Sequence, residues 1–457
     1  MNTRDTGTDS ESTLIRGWVP QPNTRGTFDL AVSCAVTVFL CSWSSICVNV
    51  PTTDHSKRDL FWDKWHMFCL SMLGPEFIFM LALGQYMRAH ASMKSFHDKG
   101  YKDWTTMHAF YADMGGFILQ TRDWKPFPVD AKQLFYLIER GYVRYPEINK
   151  AMIDDKNKSD GLARFITSCQ IIWFTLNVIA RPTQNLAVTT IEITTIGFIF
   201  CTLGINFCWR NKPMDVSTAI VLNTDHTIHH ILQSAEDVAS QPYRLTPLDF
   251  VSREEWIATQ LWQYNVNILR KLRVIRQRPK VRPVQRLSSF SFPKLPRRGS
   301  VITLCITLVY SAIFMAAWNF EFPSAAERLI WRICTSLSMG LTIVVGIVEV
   351  ALPQPRNSIK EGASDIEGEG RKATLPIHGD RFMTGLLGRL ANKRFNNSLD
   401  KDPALDVPLK SILFTQPICA VYTVCRLYVL LEDIIGLRAV PASAFQCVNW
   451  TVYWPHM

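Results

Sequence analysis

The chain has 457 residues, with 49 Lys+Arg against 39 Asp+Glu for a formal net charge of +10, and charged residues make up 19%, below the roughly 25% of an ordinary soluble chain. Mean hydropathy is an ordinary +0.04, but apolar runs without charge alternate with stretches that hold nearly all of it, which argues against a wholly soluble or a disordered protein. Seven membrane spans of about 20 residues would use roughly 140, leaving about two thirds of the chain outside the hydrocarbon.

In chain order, residues 1–29 are polar and acid-bearing, and no cleavable signal is visible. Leu30–Val50 is the first expected span, closed by Pro51. His66–Met87 is the second, apolar except for Glu76, which follows Gly74-Pro75. The loop 88–160 has structured character: Thr105–Leu119 is apolar but too short to span, so it reads as a core helix or a re-entrant segment that Gly115-Gly116 ends or hinges. Leu162–Ala180 and Leu186–Trp209, the latter holding Glu192, make spans three and four and complete a 30–209 membrane unit.

A basic loop, 210–298, leads to spans five and six, Gly299–Phe320 and Leu329–Leu352, within 299–352. The linker 353–411 precedes the last span, Ile412–Leu431, interrupted by Arg426, and an aromatic tail that completes 412–457. The expected class is all-α: a polytopic helical membrane protein with about seven transmembrane helices and large cytosolic loops.

Lys and Arg flanking the spans place the long loops in the cytosol, because cytosolic loops carry the excess of both. Seven spans then leave the N-terminus cytosolic and the C-terminus lumenal or extracellular. Asn449-Trp450-Thr451 becomes a glycosylation acceptor on the outer side, while Asn157-Lys158-Ser159 and Asn396-Asn397-Ser398 fall on the cytosolic side. Trp256–Arg298 has eleven Lys/Arg and no acid. It begins as an amphipathic helix, and its basic part, 270–298, is either a loop obeying the charge bias or a contact for anionic lipid headgroups. Tethering beside a membrane argues against nucleic acid. The twelve cysteines lie in or beside apolar runs, where a thiol behaves as a small hydrophobe, and no CxxC occurs.

Gly17-Trp18-Val19, Arg25-Gly26-Thr27, Asn49-Val50-Pro51, Gly74-Pro75-Glu76, His108-Ala109-Phe110, Met114-Gly115-Gly116-Phe117, Asn211-Lys212-Pro213, Trp318-Asn319-Phe320 and Val448-Asn449-Trp450-Thr451 are spread over nearly the whole chain. In combination they resemble a large group of polytopic integral membrane proteins of filamentous fungi, some similar to proteins encoded among secondary-metabolite genes. The resemblance implies the architecture and a fungal membrane. It supplies no active site.

The candidate chemistry therefore rests on the residues. Glu76 and Glu192 are carboxylates expected at hydrocarbon depth, where such groups face a protein interior or a wet cavity and can exchange a proton, or else form a polar contact between helices. His108 and Asp113 are an acid–base pair only if Gly115-Gly116 bends the segment, because i and i+5 do not share a helix face. Asp154, Asp155 and Asp160 resemble a magnesium-diphosphate cluster but are offset by Lys156 and Lys158, with no second such motif. His226 and His230 have zinc spacing without the glutamate of a HExxH helix. No metal or cofactor is expected. The function expected is a membrane-embedded enzyme acting on a lipophilic, isoprenoid-like molecule by proton transfer. A transporter or receptor-like protein, or a non-catalytic scaffold, is the alternative.

Overall fold

The computed structural model describes residues 14–20, 25–51, 57–148, 150–155, 161–216, 218–235, 243–252, 257–274, 282–351, 393–398 and 406–453. The fold is mostly helical. A short strand β1 (Leu14–Arg16) precedes α1 (Thr27–Ser44), α2 (Lys57–Leu73) and α3 (Pro75–Asp98). Then come α4 (Thr106–Asp113), β2 (Phe117–Gln120), β3 (Phe127–Val129), α5 (Ala131–Glu139), α6 (Lys150–Asp155), α7 (Gly161–Thr183), α8 (Thr190–Cys208), β4 (Ile220–Asn223) and α9 (Ile228–Ser234). The remainder is α10 (Asp249–Ser252), α11 (Ile257–Lys271), α12 (Arg297–Met315), α13 (Ala325–Ala351), β5 (Arg394–Phe395), β6 (Val407–Pro408), α14 (Leu409–Ile435) and β7 (Ala439–Pro441).

Among the described residues, four helices are long and apolar enough to cross a membrane: Thr27–Ser44, Thr190–Cys208, Arg297–Asn319 and Ala325–Ala351. Helices α7 and α14, of 23 and 27 residues, fill the places of expected spans three and seven. The second expected span is different. Arg58–Leu73 and Pro75–Asp98 meet at a bend of 115°, so no straight helix covers His66–Met87. The cause is local: Gly74 caps a new helix in extended conformation and Pro75 takes its first position, where the missing N–H would have no partner in any case.

Helix contacts give each element a direction. Cys34 and Cys41 of α1 lie beside Thr195 and Thr202 of α8, so these helices run in parallel. Helix α3 also follows α8, with Glu76 beside Cys201 and Gln85 bonded to Trp209 at 3.1 Å. Helix α12 runs against α3, and hence against α8, since Gly299 meets Met87 while Tyr310 lies beside Glu76. In α14, Cys425 faces Cys334 of α13 and Tyr428 reaches the carbonyl of Glu327, so that pair is antiparallel too. Both limbs of the α2–α3 bend leave toward one end of this bundle, where Lys64 pairs with Asp215 at 2.6 Å and Gln85 accepts from Lys212 at 2.8 Å.

That end carries a small mixed domain. Strands β3-β2-β4 form its sheet, with β2 and β4 parallel in the register Phe117↔Ile220 to Gln120↔Asn223. Gly115 adopts φ +81°, a left-handed turn that glycine takes without steric cost, and it converts α4 into β2. Thr105–Leu119 thus holds the expected core helix, ended at Gly115-Gly116, and then a strand that the sequence reading did not foresee. Phe96 near the end of α3 stacks on buried Trp104 at 4.1 Å, so one helix belongs to the bundle at Glu76 and to this domain at Phe96. The two connections expected as separate loops form one body.

The basic stretch divides. Helix α11 forms where the amphipathic spacing predicts it, and its Trp262 packs on Phe292 at 5.3 Å. Arg286 turns inward to Asp63 and donates to the carbonyl of Asn49 at 2.9 Å, while Pro293 packs on Gly84. Arg286 is thus committed to the protein itself. Arg297 and Arg298 are exposed at the start of α12.

At the opposite end the chain closes on itself. Strand β1 pairs antiparallel with β7, Leu14↔Pro441 to Arg16↔Ala439, and Arg25 N donates to Phe445 O at 3.0 Å. The N-terminal segment and the C-terminal tail lie at the same end of the bundle, where the sequence reading expects them on opposite sides of a membrane. An odd number of complete crossings would separate them. The bent α2–α3 pair is apolar enough to be either a broken span or a re-entrant loop.

Candidate functional site

Glu76 is the second residue of α3 and is buried. A carboxylate suits this place because the first turn of a helix presents unpaired amides and a positive dipole end. Tyr422 of α14 donates to Glu76 Oε1. One turn on, buried Arg426 is bonded to Tyr310 of α12, and its guanidinium lies over the Phe314 ring at 4.5 Å. Glu76, Tyr422, Arg426 and Tyr310 tie α3, α12 and α14 together, with Cys201 of α8 beside them. The cavity against this group holds about 20 Å³, room for about one water. Charge and counter-charge are assembled here, but nothing of substrate size fits.

Glu192 lies at the third position of α8. Its Oε2 accepts from Thr189 N and Thr189 Oγ1, both at 2.9 Å, and its Oε1 pairs with Arg25 at 2.7 Å. This is a reciprocal N-terminal cap extended by an ion pair. It anchors the segment that leads into α1. Glu192 therefore sits at the end of the bundle, far along α8 from Cys201, and the structure does not bring it together with Glu76.

His108 and Asp113 are also kept apart. His108 Nδ1 accepts from Thr105 N at 3.2 Å and Nε2 lies 2.8 Å from Ile148 O, so those partners select the neutral tautomer with its proton on Nε2. Burial holds the imidazole below its ordinary value, partly offset by the Ile148 carbonyl and by Asp103. Asp113 faces the other way, pairing with Arg88 at 3.2 Å and accepting from Ala131 N at 3.0 Å. Burial raises its carboxyl, with Arg88 opposing. Arg88 also reaches Asp130 at 3.1 Å, so the pair of aspartates clamps α3 to the mixed domain. Lys212 is fully enclosed nearby, over the Trp209 ring at 4.3 Å, and burial lowers its proton affinity.

Asn449 is exposed; its Oδ1 accepts from Thr451 Oγ1 at 2.6 Å and Trp450 packs on Trp173 at 5.5 Å. Gln184 makes a two-way bond to the Asn449 backbone, 2.9 Å each way. The side chains of Asp154, Asp155 and Asp160 lie outside the described residues. His226 and His230 stack at 5.5 Å. No group of three metal-ligating side chains occurs among the described residues.

The space of substrate size lies elsewhere. A cavity of about 760 Å³ is bounded by α7, α8, residues 316–323 after α12, and residues 432–443. That volume is within the roughly 300–1,000 Å³ typical of small-molecule sites. Its walls are chiefly apolar, with Val178, Ile193, Ile196 and Phe320 among them. Ile179 lines it and is 61% exposed, so the space opens outward along α7. Glu432, buried, is the carboxylate at its inner wall. Tyr428 bonds Glu432 Oε2 at 3.3 Å, and Oε1 is buried without a hydrogen-bond partner. Glu432 escapes the sequence reading because the last expected span ends at Leu431, just before the Glu432-Asp433 acidic pair. The helix continues to Ile435, which carries Glu432 into the packed interior.

A family model matches residues 2–236, just over half of the chain and the part running from the N-terminal segment through α9. No curated protein and no solved structure matches. Glu76, His108, Asp113 and Glu192 fall within the matched region, and Glu432 follows it. By that match the chain belongs to a family of unknown function, DUF8562.

Proposed function

We propose that the protein is an integral membrane enzyme that acts on a lipophilic small molecule by proton transfer, with Glu432 as the carboxylate that meets it. The observation that carries this reading is the 760 Å³ apolar cavity with buried Glu432 on its wall. A lipophilic molecule already dissolved in the bilayer reaches such a space sideways. The resemblance to fungal membrane proteins belongs to the same reading, since isoprenoid-like intermediates of secondary metabolism have this character.

In the membrane, α1, α7, α8, α12, α13 and α14 make six crossings and the α2–α3 bend dips in and returns. Support comes from the outward faces: Phe165, Ile172 and Trp173 of α7 and Leu413, Val424 and Leu431 of α14 are all exposed, and only 11% of the apolar window of α13 is buried. Such surfaces fit lipid better than water. The basic connections put the mixed domain in the cytosol, and both termini then lie outside. Arg297 and Arg298 meet anionic headgroups at the cytosolic surface.

Glu76 holds the bend in place by its bond to Tyr422. One observation favours transport as a second reading: α3 begins beside Cys201, about 16 Å along α8, and half-helices that start at mid-depth hold substrates in transporters. Metabolite profiles of a deletion strain complemented with wild type, Glu432→Gln or Glu76→Gln, at matched expression, separate the two. Catalysis predicts that Glu432→Gln accumulates the lipophilic precursor that the deletion accumulates. Normal synthesis with altered export in that strain would instead establish transport.

A further inference from the structure

Resting on the membrane reading above, we propose that the C-terminal half of α11 lies along the cytosolic face of the bilayer and binds anionic lipid there. Two ties set its level. Trp262 packs on Phe292 at 5.3 Å, in the lead-in to α12. Asn267 donates to Asn397 Oδ1 at 3.3 Å, beside the β5–β6 pair that leads into α14. Both lead-ins belong to the cytosolic end of the bundle. Pro293 packs on Gly84 of α3, beside the Gln85 that bonds Trp209 at the end of α8. At β5, Lys393 O accepts from Leu409 N at 2.9 Å, at the first residue of α14. A helix tied to the starts of two crossings runs across the end of the bundle and not away from it.

Beyond Asn267, Leu269, Leu272 and Val274 are exposed. Lys271 and Arg273 stand between them, and Arg297, Arg298, Lys393 and Arg394 are exposed at the same end of the bundle. No Asp or Glu occurs in 257–274, 282–298 or 393–398. Apolar side chains set among bases suit a surface with hydrocarbon beneath anionic headgroups, where burial and charge act together. The helix ending adds to the fit. Val274 N donates to Leu269 O and Arg273 N to Arg270 O, both at 3.0 Å, with Arg273 at φ +60°. Glycine ordinarily takes that left-handed place. The ending turns Val274 back toward Leu269, which extends the apolar strip. An arginine held there carries backbone strain, which contact with a phosphate headgroup offsets.

The test is hydrogen–deuterium exchange of the full-length protein in two kinds of nanodisc, phosphatidylcholine alone and an equimolar mixture of phosphatidylcholine and phosphatidylserine. Amides of residues 268–274 should exchange about tenfold more slowly in the mixture, and high salt should remove most of that difference. A Lys271→Gln, Arg273→Gly variant keeps the helix ending, because glycine suits the left-handed residue, and should lose most of the difference between the two lipids. Equal exchange of the wild type in both lipids, or a difference undiminished in the variant, would overturn the lipid assignment. Slowing by added polyglutamate without any by phosphatidylserine would also overturn it, in favour of an acidic protein partner. Failure of the chain to enter nanodiscs of either kind would overturn the membrane reading itself, and this proposal with it.

Discussion

Tyr422 donates its hydroxyl hydrogen to Glu76 across 346 residues of sequence, and this contact ties the α2–α3 bend to the last helix. The neighbouring Arg426 supplies the charge that makes a buried carboxylate tolerable there. Tyr422→Phe should lower stability by about 1–3 kcal/mol, the penalty for a buried acceptor left unmatched. Glu76→Ala should cost about 3–5 kcal/mol, because it removes the stronger of the two acids, Glu76 and Asp433, that balance buried Arg426. Thermal unfolding in detergent measures both. Recovery of stability in a Glu76→Gln, Arg426→Gln double variant would show that charge, and not side-chain volume, sets the loss.

The pairing of β1 with β7 fixes topology. An N-terminal epitope tag and a glycan on Asn449 should be protected together in sealed endoplasmic-reticulum vesicles. The measurement is protease digestion of the tag alongside the mobility shift lost on Asn449→Gln. A tag digested while the glycan is protected would mean that the chain ends face opposite sides and that β1 does not reach β7.

Arg25 reaches Glu192, which is almost wholly buried, from a partly open position. Arg25→Ala should cost about 1.5–3 kcal/mol, the range for hydrogen bonds to a charged group. Arg25→Lys should keep part of this, since a lysine provides the charge without the planar fork. A melting temperature unchanged in Arg25→Ala would assign the whole stabilisation of Glu192 to Thr189.

His108 gives the mixed domain a pH dependence. Its imidazole is held neutral and below the ordinary value by burial, so the unfolded chain is the better proton binder. Stability is therefore full above about pH 6.5 and falls as pH drops below it, by at most about 1.4 kcal/mol per pH unit. His108→Gln keeps a cap at the same position and should flatten the slope. Pulse proteolysis at about pH 7.5 and about pH 5.5 reads the difference; equal slopes in both proteins would show that the proton is bound elsewhere.

The helices were legible because an uncharged apolar run has few other fates. Their ends are less legible: an acidic pair marks the end of the last run, which cuts α14 before Glu432, and apolarity continues through Gly74-Pro75, which fuses α2 with α3. Pro75 opens a helix locally by removing one backbone hydrogen bond. The sequence carried no sign of how far the chain would turn. The β2–β4 pairing joins Phe117 to Ile220, and no local pattern specifies a partner at that distance. Glu76 and Glu192 were picked out by being acids in apolar runs. What each does depends on Tyr422 and Arg25, whose approach is tertiary.

The β1–β7 seam also sets a clock. Ribosomes add roughly 5–20 residues each second, so Leu14 waits on the order of tens of seconds before Ala439–Pro441 exists to receive it. During that interval Arg25 has no Phe445 carbonyl to hold its backbone, and its side-chain pair with Glu192 is the earlier tie at the start of α1. A nascent chain that stops before Ala439 never acquires this seam.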